Sequence, residues 1–300
     1  MTAPDEAIGL FGPGSVGWRV DRELVVLAGG SCALLLQAAH PVVAAGVTEH
    51  STYAADPFGR LMRTLSSSFA VAFGSRSTAE AAIRRVNAIH ARVRGELPDG
   101  SPYSAMDPEA LLWVHATLVD TALRVYAGWV RPLSATDEQR YHEEAAEVAV
   151  LLGVPTSSVP ATLVELRAWM DDMVVSGRVH VTPAARAIAG TILYPLPWIP
   201  RVAWDAAHLV SLATLRPDIR RQYGIGWTDA REQGALRLAA ASRRLVPLLP
   251  DVVRTAPEAR RAARRATSAA GIDAVRVPRR DDAQPAPLEV ASRAAPGIGD

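Results

Sequence analysis

Ile83-Arg84-Arg85-Val86-Asn87-Ala88-Ile89-His90-Ala91-Arg92-Val93 is the stretch on which the fold turns. Ile83, Val86, His90 and Val93 recur at helical spacing, and Arg84, Arg85 and Arg92 fall away from that stripe. The chain is therefore helical here, and an imidazole sits on the side that should face the core. Burying an imidazole is costly unless its nitrogens find partners. A metal or haem iron is one such partner, and a hydrogen bond within the core is the other.

The same period governs most of the remaining sequence. Helices are predicted over residues 22–39, 41–49, 57–73, 77–95, 107–130, 135–152, 159–175, 182–192, 199–212, 216–221, 228–247 and 249–262. Asp107-Pro108-Glu109 opens one of them with a capping side chain and a proline in the first turn. Ser134-Ala135-Thr136-Asp137-Glu138, Thr182-Pro183 and Thr228-Asp229-Ala230-Arg231-Glu232 mark further starts. Few segments alternate with period two, so the fold class is all-α, a single multi-helix globular domain. Residues 1–22 are expected to be irregular, with Phe11-Gly12-Pro13-Gly14-Ser15-Val16-Gly17-Trp18 as a turn before the first helix rather than a phosphate loop, since Gly-Lys-Ser/Thr is missing. Residues 267–300, rich in Pro, Ala, Arg and Asp, are expected to be disordered. No internal repeat is found.

Composition narrows the function. The chain has 300 residues, 49% of them hydrophobic, enough for a substantial core, and its formal charge of +1 offers no electrostatic case for nucleic acid. One cysteine, Cys32, forms no intramolecular disulfide and is too few for the usual thiolate zinc or iron–sulfur sites. Met1 to Val20 carries Asp5 and Glu6 and no basic segment, which argues against a signal peptide and for a cytoplasmic setting. Leu24 to Val47 is apolar enough to raise the transmembrane question, but Gly29-Gly30, Gln37, His40 and Pro41 favour a buried helix, a break and a short second helix. Pro195-Leu196-Pro197-Trp198-Ile199-Pro200 is an apolar connection whose default is packing, with contact to a membrane surface left open.

Three groups of residues could carry chemistry. Arg94 follows His90 by one turn, and a histidine on an apolar stripe beside arginines suits haem, with guanidinium groups pairing with propionates. Leu111, His115, Leu118 and Ala122 share a face, which turns a second imidazole inward. Arg60, Arg63 and Thr64 lie at i, i+3 and i+4 and form one polar cluster on an otherwise apolar helix. Such arginines need anions if they are buried. His40 precedes Pro41 at a helix junction, and His50 reads as a capping or hydrogen-bonding residue. His142 lies on a charged face and is expected to be exposed; His180 and His208 show no constellation. Paired Glu-x-x-His, His-Glu-x-x-His and Gly-x-Ser-x-Gly are all missing, so di-iron, zinc-hydrolase and serine-hydrolase sites lack support. Haem needs only one protein ligand and is the metal-centre reading that remains.

Four segments together resemble a known family. They are Leu36-Gln37-Ala38-Ala39-His40-Pro41-Val42-Val43-Ala44-Ala45-Gly46-Val47 with Glu49-His50-Ser51; Asp56-Pro57-Phe58-Gly59-Arg60-Leu61-Met62-Arg63-Thr64; His90-Ala91-Arg92-Val93-Arg94-Gly95; and Leu112-Trp113-Val114-His115-Ala116-Thr117-Leu118. In this order they resemble the mpaB-type oxygenases, which include the latex-clearing rubber oxygenases, over roughly residues 10–245. The resemblance implies a globin-like helical core with b-type haem over residues 23–266, and dioxygen as co-substrate. It also implies a hydrophobic substrate, isoprenoid or lipid-like, small molecule or polymer. The family's His-Ala-x-Val-Arg segment makes His90 the axial iron ligand. Its Arg-x-x-Lys-Thr segment reads Arg60-Leu61-Met62-Arg63-Thr64 here, with arginine where the lysine stands. A guanidinium stays protonated and is a poor iron ligand. Taken with the reading of the residues, which supplies Arg94, His40 and His115, the resemblance leads to the expectation that Arg60, His90, Arg94 and His40 hold the cofactor and that Arg63, Thr64 and His115 lie on the distal, reactive side. A haem-holding protein without turnover, ligated by two histidines, and a haem-free helical binding module are the competing expectations.

Overall fold

The computed structural model describes residues 6, 8–51, 55–196 and 198–269. The all-α expectation holds. One helix, Pro108–Trp129, organises the fold: the Asp107 side chain accepts a hydrogen bond from the Ala110 amide at its start, and Pro108 occupies the first turn. Fifteen of its 22 residues are buried, on all sides, which marks it as the core helix rather than a surface one. Helices Gly30–Ala38, Ala135–Leu151, Leu163–Val175 and Asp229–Leu245 pack around it.

The apolar run that raised the transmembrane question is instead a bent pair, Leu24–Ala38 and Pro41–His50, with 102° between its arms. The first arm is itself interrupted, so the single helix expected over 22–39 divides into Leu24–Leu27 and Gly30–Ala38. Gly29 at the break lies against the core helix; a Cβ there would stand 2.7 Å from Val125 Cγ2 and 2.9 Å from Thr121 Cγ2. At the other end the helix stops before Pro41, which leaves carbonyls unpaired. Trp113 Nε1 donates to the Leu36 carbonyl (2.8 Å) and satisfies one of them; the Tyr223 hydroxyl adds a second bond to the Leu35 carbonyl (2.7 Å), which already accepts from the Ala39 amide. No single helix among the described residues is long and apolar enough to cross a membrane.

A helical hairpin, Pro57–Phe73 and Arg76–His90, forms a second layer. The Ser75 hydroxyl accepts from the Thr78 amide and starts its second arm. The far end of the hairpin is held by Phe73 against Trp18, ring edge to face at 5.2 Å, and by Ala256, Ala259 and Ala262. The helix expected over 77–95 ends at His90. Beyond it the chain turns into a two-stranded antiparallel ribbon, β1 (Arg94–Glu96) on β2 (Pro102–Ser104), with Gly95 opposite Tyr103.

Other boundaries also move. Val16–Asp21, within the segment expected to be irregular, is a helix whose Ser15 side chain accepts from the Trp18 amide. The helix expected over 199–212 divides at His208, and that expected over 249–262 divides before Pro257, whose helix continues to Ala269. Residues 270–300 of the expected disordered tail, and Pro197 of the apolar connection, lie outside the described residues.

Candidate functional site

A cavity of about 580 Å³ opens between the helical hairpin, helix Pro41–His50 and the start of the core helix. Three of its sides are apolar. Val42, Val43, Gly46 and Val47 come from the helix after His40, Val86 and Ile89 from the second arm of the hairpin, and Ala110, Leu111 and Val114 from the core helix. The fourth side is polar: Arg60, Arg63, Thr64 and Ser67 descend from the first arm. The amphipathic pattern of that arm is thus inverted relative to an ordinary surface helix. Its polar stripe faces the cavity, while Phe58, Leu61 and Met62 face solvent.

His90 lies on the cavity wall at the end of its helix. Its Nδ1 is buried, and neither ring nitrogen has a hydrogen-bond partner among the described residues. Burial lowers its pKa, so the neutral imidazole with a free lone pair is favoured. Arg60 has no carboxylate partner among the described residues; burial, and then Arg63, push its pKa below the usual arginine value. A guanidinium so placed remains a cation and lacks an anion. Arg63 reaches the Asp56 carboxylate at 3.0 Å, the same side chain that accepts from the Gly59 amide to start this helix. The Thr64 hydroxyl donates to the Arg60 carbonyl at 3.0 Å, so its one proton is committed and only its lone pairs face the cavity.

Of the residues singled out from sequence, the fold brings Arg60, Arg63, Thr64 and His90 together. It does not bring Arg94, His40 or His115 to this cavity. Arg94 stands on β1, exposed, where its guanidinium donates to the Ala91 carbonyl at 2.7 Å. The chain leaves the helix at His90, so the turn that would have stacked Arg94 above it does not form. His40 caps the start of helix Pro41–His50 and is buried with both ring nitrogens unpartnered; burial lowers its pKa to about 4. His115 is buried with Nε2 unpartnered, and burial, followed by His142, lowers its pKa to about 4. On the core helix it is Ala110, Leu111 and Val114 that line the cavity.

His142 stands differently from its sequence reading, while His50 is hydrogen-bonded as expected and also lines the cavity. His142 is 1% exposed, not solvated; its Nε2 meets the Pro160 carbonyl at 2.8 Å and its Nδ1 is unpartnered. Its charged neighbours hid a face shared with buried Ala149, seven residues on. His50 lines the cavity, held through Nε2 at 3.2 Å from the Arg94 carbonyl. Its spacing after Val43 and Val47 was the available signal. Behind it the Tyr103 hydroxyl donates to Glu49 at 2.5 Å, and Gly95 leaves room for that pair. Cys32 is buried, its thiol pushed up to about 12 by burial, which suits packing and not reactivity. Among the described residues no group of three or more His, Cys, Asp or Glu side chains could hold a metal ion.

Residues 18–245 match the family model described as ER-bound oxygenase mpaB/B'/Rubber oxygenase, catalytic domain. No curated protein and no solved structure matches the chain. The match spans the bent helix pair, the hairpin and the core helix, the elements whose residues line the cavity. The chain belongs to the mpaB/rubber oxygenase catalytic-domain family.

Proposed function

We propose that the protein is a haem b-dependent oxygenase that uses dioxygen on a hydrophobic, isoprenoid or lipid-like substrate held in the 580 Å³ cavity. The observation that carries this reading is His90: an imidazole without a protein partner on an apolar wall, with the unpaired Arg60 lining the same cavity. That combination suits a flat, mostly apolar group with a Lewis-acidic centre and anionic edges. His90 would ligate the iron and Arg60 would pair with a propionate. The bound haem would supply the binding and reduction of dioxygen.

The chain's own residues would set access and polarity. Val42, Val43, Val86 and Val114 exclude water and present an apolar surface to the substrate. Arg63, paired with Asp56, places positive charge on the polar side of the cavity; Thr64 can only accept while its proton is held by the Arg60 carbonyl. His115 has no part in this arrangement. A second reading, haem held by two histidines without turnover, draws on His50 lining the same cavity as His90.

The test is the absorbance spectrum and haem content of wild type and His90→Ala, each produced with haem supplied, followed by dioxygen uptake with isoprenoid and lipid substrates. A Soret band lost or strongly altered in the variant, with substrate-dependent uptake in wild type, is the expected result. A wild type without haem overturns the reading. A stable low-spin spectrum lost in both His50→Ala and His90→Ala, without uptake, selects the second.

A further inference from the structure

The ridge from Leu238 to Val253 is built differently from the rest of the surface. Leu245 is 60% exposed, Leu248 79% and Val252 67%, with Leu249 and Val253 exposed between and beside them. Pro247 and Pro250 fix the two turns that carry them, so the side chains project from a stiff ridge. The preceding helix, Asp229–Leu245, extends the pattern. Leu238 and Leu245 are seven residues apart and point almost the same way, outward. Arg237 and Arg244 form a parallel row beside them, exposed and without an ion pair among the described residues.

Charge follows the same geography. Residues 229–269 contain nine arginines against four carboxylates, in a chain whose net charge is only +1. The one carboxylate on the ridge, Asp251, already lies between Arg22 and Arg254. Arg260 lies across the ridge's base, donating to the Val252 and Thr255 carbonyls. A leucine row flanked by arginines matches a surface with an apolar interior and an anionic face. It does not match a second protein copy so well: a stable interface engages about 20–30 residues a side, and this ridge offers fewer than ten. The family match, which ends at residue 245, covers Arg237, Leu238, Arg244 and Leu245 but not Leu248, Leu249, Val252 and Val253.

We propose that this ridge docks the protein onto an anionic lipid bilayer, with Leu245, Leu248 and Val252 inserting among the acyl chains and Arg237 and Arg244 meeting the headgroups. The inference is independent of what the cavity holds. It is tested by sedimenting the full-length protein with vesicles of phosphatidylcholine alone or mixed with phosphatidylglycerol. Wild type is expected to bind the mixed vesicles and to release as salt is raised. Leu248→Asp with Val252→Asp should weaken partitioning about tenfold or more, and Arg237→Glu with Arg244→Glu should remove the preference for the anionic lipid. Val164, 78% exposed on the separate helix Leu163–Val175, is the control: Val164→Asp should bind as wild type does. Circular dichroism verifies that each variant folds. Absence of wild-type binding to either vesicle overturns the proposal, as does an equal loss in Val164→Asp. A dimer in light scattering that Leu248→Asp dissolves, without vesicle binding, also overturns it and makes the ridge a contact between copies.

Discussion

His90 and Arg60 line one cavity from the two arms of the same helical hairpin, and neither side chain finds a partner among the described residues. A half-buried lone pair and a half-buried cation on neighbouring helices carry a cost that a third group meeting both would remove. If that group is haem, the two residues have separable effects. Arg60→Ala removes a charge-assisted hydrogen bond worth about 1.5–3 kcal/mol, which corresponds to roughly ten- to hundredfold weaker binding. Haem titration should show that loss with the Soret position unchanged, and Arg60→Lys should recover part of it. A shifted band in Arg60→Ala would instead place the arginine's influence on the iron.

His115 predicts a stability effect rather than a cofactor effect. Its pKa is lowered from 6.5 to about 4, chiefly by burial, as is that of His40. The unfolded chain binds protons more readily at both, so the stability they support is complete above about pH 6.5 and is lost as pH falls toward 4. Replacing His115 with Leu removes one of the two titrations. The melting temperature should then fall less steeply between pH 6.5 and 4.5, while haem content at pH 7 stays at the wild-type level. Loss of haem in His115→Leu would contradict its position away from the cavity.

Asp21 works in the opposite direction. The residue is half-buried, and its carboxylate accepts from the Tyr141 hydroxyl at 2.8 Å with Glu144 nearby; burial raises its pKa to about 7, while the Tyr141 bond opposes the shift. A raised carboxylate pKa means that the fold favours the protonated form and loses stability as pH rises from about 4 through 7. Asp21→Asn keeps an acceptor for Tyr141 and never ionises. It should unfold at a higher temperature than wild type at pH 8 and show little or no advantage at pH 4. Equal gains at both pH values would mean that charge is not the cause.

The helices were legible because their signals are local. The Asp107-Pro108 start, the Ile83–His90 stripe and the Arg60–Thr64 cluster all depend on spacing within a turn or two. What failed depends on contacts between distant segments. Arg94 reads as one more helical turn until the ribbon with Tyr103 takes it, and His142 reads as solvated until Pro160 covers it. His115 is inward in both readings, but a stripe says only that a side chain is buried, not against which neighbour. The cavity joins four helices, and no one of them carries a signal for the other three.

Gly29 gives a prediction in which chain entropy and packing disagree. Gly29 is the residue just before helix Gly30–Ala38, where alanine's advantage inside a helix does not apply, but replacing glycine still reduces the freedom of the unfolded chain, a gain of about 0.4–1 kcal/mol. At Gly29, however, a Cβ would sit 2.7 Å from Val125 Cγ2 and 2.9 Å from Thr121 Cγ2, both on the core helix. Neither methyl ends a long flexible side chain, so helix Gly30–Ala38 must shift outward, and such overpacking costs about 1–3 kcal/mol. Packing should win, and Gly29→Ala should melt below wild type. Gly128, in the last turn of the same core helix, has open space where an alanine methyl would project, with nothing within 4 Å. There propensity acts alone, and Gly128→Ala should gain roughly 0.5–1 kcal/mol. Thermal unfolding of the two variants should therefore move in opposite directions. A Gly29→Ala protein as stable as wild type would mean that the packing of Gly30–Ala38 on the core helix can relax, and that the break before this helix is not enforced by that contact.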